Sequence, residues 1–161
     1  MSRAETDVVR RSLLRLMATA LATPVVASVA FPRAVRAALP PVVVWKDPNC
    51  GCCEGWVRHM RAAGFSVRVT NAADMAAVKN ARGVPDELQS CHTAVVDGYV
   101  IEGHVPAADI VRLLDERPAA KGLAAPGMPA SAPGMDQPGQ PYTVMLFGGP
   151  GGTRTYANHN T

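Results

Sequence analysis

From residue 42 onward the chain alternates short apolar runs with turn clusters. Val42-Val43-Val44-Trp45 is a β-rich run closed by Lys46-Asp47-Pro48-Asn49, a turn cluster. Helical spacing then takes over. Trp56, Val57, Met60 and Ala63 recur on one face, which predicts a helix from the Cys50 region to about Ala63, with Gly64 as its stop. Phe65, Val67 and Val69 alternate with Ser66, Arg68 and Thr70, the period of a half-buried strand. Asn71 is placed to cap a second helix with Asp74 in its first turn and Gly83 at its end. Thr93–Val96 and Tyr99–Ile101 flank Asp97-Gly98, a dipeptide that tolerates the positive φ angles of a two-residue hairpin. Pro106 opens a third helix whose Ile110, Leu113 and Leu114 make one face, ending before Pro118.

The order strand, helix, strand, helix, strand, strand, helix predicts an α/β domain with a thioredoxin-like sheet and flanking helices. Many small domains share such orders, so function has to be argued from particular residues. Between Pro118 and Pro141 lie six Pro and four Gly, including Pro126-Gly127-Met128 and Pro133-Gly134-Met135. No helix runs through such a stretch, which predicts an extended or mobile segment. Tyr142 to Phe147 is again strand-like, Gly148 to Gly152 makes a loose turn, and Thr153 to Tyr156 is placed to pair back as a hairpin. The expected organisation is an export signal over 1–37, a metal-binding domain over 38–117, and a Pro/Gly/Met-rich segment over 118–141. A C-terminal hairpin over 142–161, packed on the domain or frayed, completes it.

Composition and charge sharpen this picture. A chain of 161 residues has room for one ordinary domain, and with 48% hydrophobic but 5% aromatic residues its core is built mainly of Ala, Val and Leu. The net charge of +3 is concentrated at the start. Residues 1–37 hold six Arg against Glu5 and Asp7, and the remaining residues are close to neutral. That distribution leaves no electrostatic footprint for nucleic acid. Arg10-Arg11-Ser12-Leu13-Leu14-Arg15, an uncharged run from Leu16 to Phe31, and then Arg33 and Arg36 describe a secretory signal of twin-arginine type. Cleavage is expected at Val35-Arg36-Ala37 or at Ser28-Val29-Ala30. The run is shorter than the roughly 20 apolar residues of a membrane span, so no stable membrane insertion is expected after cleavage. An uncleaved anchor is the alternative. The mature chain is expected in the periplasm from about Ala38. A folded cargo exported this way carries reduced thiols into an oxidising compartment, and a bound metal is one means of surviving that passage.

All four cysteines fall in two places. Cys50-Gly51-Cys52-Cys53 combines C-x-C and C-x-x-C, and Cys91-His92 follows 38 residues later. The first group sits at the start of the predicted helix, where backbone N–H groups and the helix dipole favour thiolate. Clustered thiolates select Cu(I), Zn(II) or iron–sulfur centres over hard ions. Zn(II) takes four ligands, for which Cys50, Cys53, Cys91 and His92 are available, whereas Cu(I) is satisfied by two or three thiolates. Cys50, Cys52 and Cys53 are therefore the expected metal ligands, with Cys91 closing the site and His92 a ligand or an orienting partner. Structural disulfides are the plainer alternative, and they would have to use Cys50 or Cys91, because adjacent Cys52 and Cys53 pair only with strain. His59 is about two helical turns from Cys52 and is expected to be structural, as is His104, or else exposed; His159 is expected in a frayed tail. Met128 and Met135 are either thioether ligands or packing over an apolar patch.

Four segments together resemble one bacterial family: Trp45-Lys46-Asp47-Pro48-Asn49-Cys50-Gly51-Cys52-Cys53, Ser90-Cys91-His92-Thr93-Ala94-Val95-Val96-Asp97-Gly98-Tyr99, Gly103-His104-Val105-Pro106, and Gly122-Leu123-Ala124-Ala125-Pro126-Gly127-Met128-Pro129. It is the exported, thioredoxin-like family of unassigned function often described as metal-binding and linked to cation or copper resistance. The resemblance runs from about Val42 to Tyr156 and implies a thioredoxin-like domain with a copper or related soft-metal site. Its partner would be a metal donor or acceptor protein of copper handling. The competing function is a thiol–disulfide oxidoreductase. Enzymes of that kind resemble one another in a cis-proline before the third strand, a place that holds Cys91-His92-Thr93 here. Nothing in the sequence points to turnover of a substrate.

Overall fold

The computed structural model describes residues 38–135 and 137–159, so the export signal read over 1–37 lies outside it. Among these residues the protein is mixed α/β. Three helices, α1 (Gly51–Ala62), α2 (Met75–Ala81) and α3 (Ala107–Glu116), flank a seven-stranded sheet. The strands are β1 (Val42–Lys46), β2 (Val67–Asn71), β3 (His92–Val96), β4 (Tyr99–Glu102), β5 (Gly122–Ala124), β6 (Tyr142–Gly149) and β7 (Gly152–His159), in the spatial order β2-β1-β3-β4-β5-β6-β7. β1 runs parallel to β2 and antiparallel to β3, β4 runs parallel to β5, and β6 and β7 pair antiparallel. No helix among the described residues is long and apolar enough to cross a membrane.

The apolar spacing of α1 faces the core. Trp56, Val57 and Met60 are fully buried, whereas Ala63, expected on the same face, is exposed as the residue that ends the helix. Trp56 also donates from Nε1 to the Val105 carbonyl at 2.8 Å, tying α1 to the loop before α3. Trp56→Phe removes that donor and strands a buried carbonyl, so a loss of about 1–3 kcal/mol is expected, read from the urea unfolding midpoint. A midpoint unchanged within error would show that this bond does not matter.

Four expectations need correcting. Asn71 does not cap α2: it ends β2 opposite Lys46, and Asp74 is the cap, its carboxylate accepting from Ala77 N at 2.9 Å. The strand after α1 begins at Val67 rather than Phe65, because Phe65 N is taken by the Met60 carbonyl in the turn that ends α1. His159 is held in β7, stacked on Tyr142, with Nε2 2.7 Å from Asp109 Oδ2. The fourth is β5, a buried strand inside the Pro- and Gly-rich stretch. Gly122 is needed there because a Cβ would lie 1.7 Å from the Val100 carbonyl oxygen. The Asp97-Gly98 turn is as expected, with both residues at positive φ.

Candidate metal centre

The sulfur groups meet because of strand register. β1 and β3 pair antiparallel with Lys46 opposite His92, so the loop leaving β1 and the residue entering β3 lie at the same end of the sheet. Cys50 occupies the N-cap position of α1, and Cys52 and Cys53 lie in its first turn. The Lys46 side chain anchors this loop from beneath. Its ammonium donates to the Asp47 carbonyl at 3.0 Å and the Pro48 carbonyl at 3.4 Å, and pairs with Glu54 at 2.9 Å.

All four Sγ atoms lie within 4.8 Å of one another. Cys50 and Cys53 are joined as a disulfide, and Cys52 and Cys91 are free thiols, both half-buried. Cys52 Sγ is 3.5 Å from Cys50 Sγ and 4.0 Å from Cys91 Sγ. Burial, reinforced by the adjacent Cys52, pushes the Cys91 thiol up to about 12, so it keeps its proton at neutral pH until something displaces it. A soft cation does that, because the metal takes the place of the proton on sulfur.

His92 lies beneath Cys91 with Nδ1 3.3 Å from its sulfur. Its ring is fully buried between Trp56 and His104, and burial holds its pKa well below the usual histidine range. Its Nε2 has no hydrogen-bond partner among the described residues. His92 thus belongs to a second donor group, Cys91, His92 and His104, rather than to the four-sulfur group.

His104 is the residue that sequence reasoning placed elsewhere. It is fully buried, with Nε2 2.9 Å from Cys91 Sγ and Nδ1 2.7 Å from the Pro133 carbonyl. A carbonyl only accepts, so Nδ1 carries the proton and Nε2 faces the sulfur as an acceptor. The signal was the segment Gly103-His104-Val105-Pro106, but 13 residues separate His104 from Cys91 and only the β3–β4 pairing brings them together. His59, by contrast, does a structural job, accepting from Ala107 N at 3.0 Å.

The Pro/Gly/Met-rich segment crosses this site at two points. Ser90 Oγ donates to the Gly127 carbonyl, and Gly127 N donates to Gln89. Further on, the Pro133 carbonyl holds His104, and Gly134 rests against the Gly55 backbone of α1. Met128 is 60% exposed and lines an open hollow with Pro126, Pro129 and Tyr142; Met135 is half-buried.

Two solved structures share this arrangement of elements. One, titled "Copper resistance protein copG- Form 1", is 42% identical, covers 76% of this chain and 99% of its own, and superposes with a TM-score of 0.71. The chain belongs to the family of copper resistance protein CopG. The second, "Copper resistance protein copG- Form 2", is 44% identical over 75% of this chain and 98% of its own, with a TM-score of 0.70. Residues 88–135 match the family described as "Protein of unknown function, DUF411". No curated protein matches the chain. The family match spans Cys91, His92, His104, Gly127 and Gly134 and does not include the Cys50–Cys53 loop.

Proposed function

We propose that the protein is a periplasmic soft-metal-binding protein that takes Cu(I) as its cargo in copper sequestration, delivery or resistance, with Zn(II) as the alternative ion. The observation that carries this reading is the convergence of four cysteine sulfurs within 4.8 Å, a donor set that suits a soft monovalent cation. Reduction of the Cys50–Cys53 disulfide frees the sulfurs at the start of α1, and Cys52 and Cys91 complete the set. His92 and His104 flank Cys91 as further donors or orienting partners. The titles of the two related structures point the same way. We read β2-β1-β3-β4 with α1 as a thioredoxin-like unit over residues 38–117, extended by the 118–141 segment and a hairpin over 142–161. Residues 1–37 serve as a twin-arginine export signal, and a metal donor or acceptor protein is the partner.

The test is an anaerobic titration of the reduced protein against Cu(I) held by a competing chromophoric chelator. Wild type is expected to strip the chelator at a fixed stoichiometry. A Cys50→Ser, Cys53→Ser double variant is expected to compete at least tenfold less well, which corresponds to about 1.4 kcal/mol or more. Equal competition by the two proteins removes Cys50 and Cys53 as ligands, and no competition by either removes copper.

A second reading, thiol–disulfide oxidoreductase, has its own support in the Cys50–Cys53 disulfide across the first turn of α1. It predicts reduction of an insulin-type substrate by the dithiol form.

A further inference from the structure

A disulfide and two thiols share one site, in consecutive contact. Cys53 is bonded to Cys50, Cys52 lies 3.5 Å from Cys50, and Cys91 lies 4.0 Å from Cys52. Sulfur atoms at such separations are at or near van der Waals contact, the distance from which thiol–disulfide exchange begins. We propose that the site is an internal disulfide relay, in which the Cys50–Cys53 bond is handed through Cys52 to a Cys52–Cys91 pair. The proposal rests on the sulfur chemistry of the reading above, but it needs no metal.

In the first exchange Cys52 Sγ attacks Cys50 Sγ. The Cys50–Cys52 bond forms, the Cys50–Cys53 bond breaks, and Cys53 leaves as thiolate and takes up the proton that Cys52 gives up. In the second, Cys91 Sγ attacks Cys52 Sγ. The Cys52–Cys91 bond forms, the Cys50–Cys52 bond breaks, and Cys50 leaves and is protonated at the expense of Cys91. Each step breaks one S–S bond and makes one, so no oxidant or reductant is consumed. The proton of Cys91 has an acceptor in place: His104 Nε2 lies 2.9 Å from the sulfur, and Nδ1 is engaged by the Pro133 carbonyl. A thiol, an imidazole against it and a third group fixing that imidazole are the parts of an activated sulfur nucleophile.

Cys52 Sγ approaches both the disulfide, through Cys50 at 3.5 Å, and the distant thiol Cys91 at 4.0 Å, so it is the carrier. The exchange also changes what the site offers. Before it, the two sulfurs at the ends of the C-x-x-C are bonded to each other. After it, they are a dithiol at the N-terminus of α1, where the helix dipole favours thiolate, while the oxidation is held by Cys52 and Cys91. A protein oxidised by one disulfide thereby keeps a soft donor pair.

The experiment maps disulfides in the full, metal-free protein. The reduced chain is treated with one equivalent of diamide in chelator, held for hours, quenched in acid and alkylated, and its linkages are identified by peptide mass spectrometry. Wild type is expected to contain both Cys50–Cys53 and Cys52–Cys91 isomers, the second at a tenth of the protein or more, in a ratio independent of protein concentration. Cys52→Ser is expected to contain Cys50–Cys53 alone, with Cys91 fully alkylated. His104→Gln is expected to reach the wild-type ratio at least tenfold more slowly. Wild type that maps to Cys50–Cys53 alone overturns the proposal without recourse to any variant, as does a Cys91 disulfide in Cys52→Ser. The copper titration uses fully reduced protein, so failure of the relay leaves the metal reading untouched, and failure to bind copper leaves the relay untouched.

Discussion

Lys79→Met is expected to lower stability by about 3–5 kcal/mol, because it leaves a buried carboxylate without its counter-charge. Lys79 Nζ lies 2.5 Å from Glu102 Oε1 and 3.2 Å from Thr93 Oγ1, and Thr93 Oγ1 donates to Glu102 Oε2 at 2.6 Å. The Glu102 side chain is fully buried and that of Lys79 is 6% exposed, so water does not replace a lost partner. Glu102 also accepts from Ser90 N at 2.7 Å, which fixes the backbone one residue before Cys91. The double variant Lys79→Met, Glu102→Gln is expected to lose less than the sum of the two single changes, because it removes both charges together. Urea unfolding of the four proteins closes the cycle. A Lys79→Met protein within 1 kcal/mol of wild type would show that the carboxylate is not held as an uncompensated charge.

Gly134→Ala is expected to cost about 2–5 kcal/mol and to loosen the contact of the Pro-Gly-Met segment with α1. Gly134 has φ +88, a left-handed conformation that costs an L-residue about 1–2 kcal/mol. A Cβ there would also lie 2.4 Å from Trp56 N and 2.7 Å from Gly55 C, backbone atoms of α1 that have nowhere to go. Moving the segment away pulls the Pro133 carbonyl from His104. Gly127→Ala is the control: its φ is +68, but nothing lies within 4 Å of the added methyl, so only the conformational cost applies. Alkylation rates of Cys52 and Cys91, measured with the unfolding midpoints, are expected to rise in Gly134→Ala and to stay near wild type in Gly127→Ala. Equal rates in both variants would show that the segment does not cover the sulfurs.

Local rules made much of this molecule legible before any coordinates. The helix from Gly51, the Asp97-Gly98 turn and the third helix behind Pro106 each depend on residues within a few positions of one another. Asn71 and Asp74 show where such rules fail. Both are good caps three residues apart, and the choice went to Asp74 because Asn71 was claimed by the β1–β2 ladder. β5 was hidden for a related reason. Gly122-Leu123-Ala124 is too short to show a period and becomes a strand through its neighbours, β4 and β6.

The sequence alone carries the kind of chemistry. It set four cysteines in two groups, one at a helix start, within a mixed α/β chain that resembles a copper-resistance family. How those groups are used depends on contacts between distant segments. Antiparallel register carried Cys91 to the helix start, the β3–β4 pairing set His104 on its sulfur, and the Pro-rich segment supplied the carbonyl that fixes that imidazole. The division has a physical cause. Residue type and helix position are properties of a few adjacent residues, whereas a 2.9 Å contact between groups 13 residues apart depends on strand pairing, which the two segments do not encode by themselves.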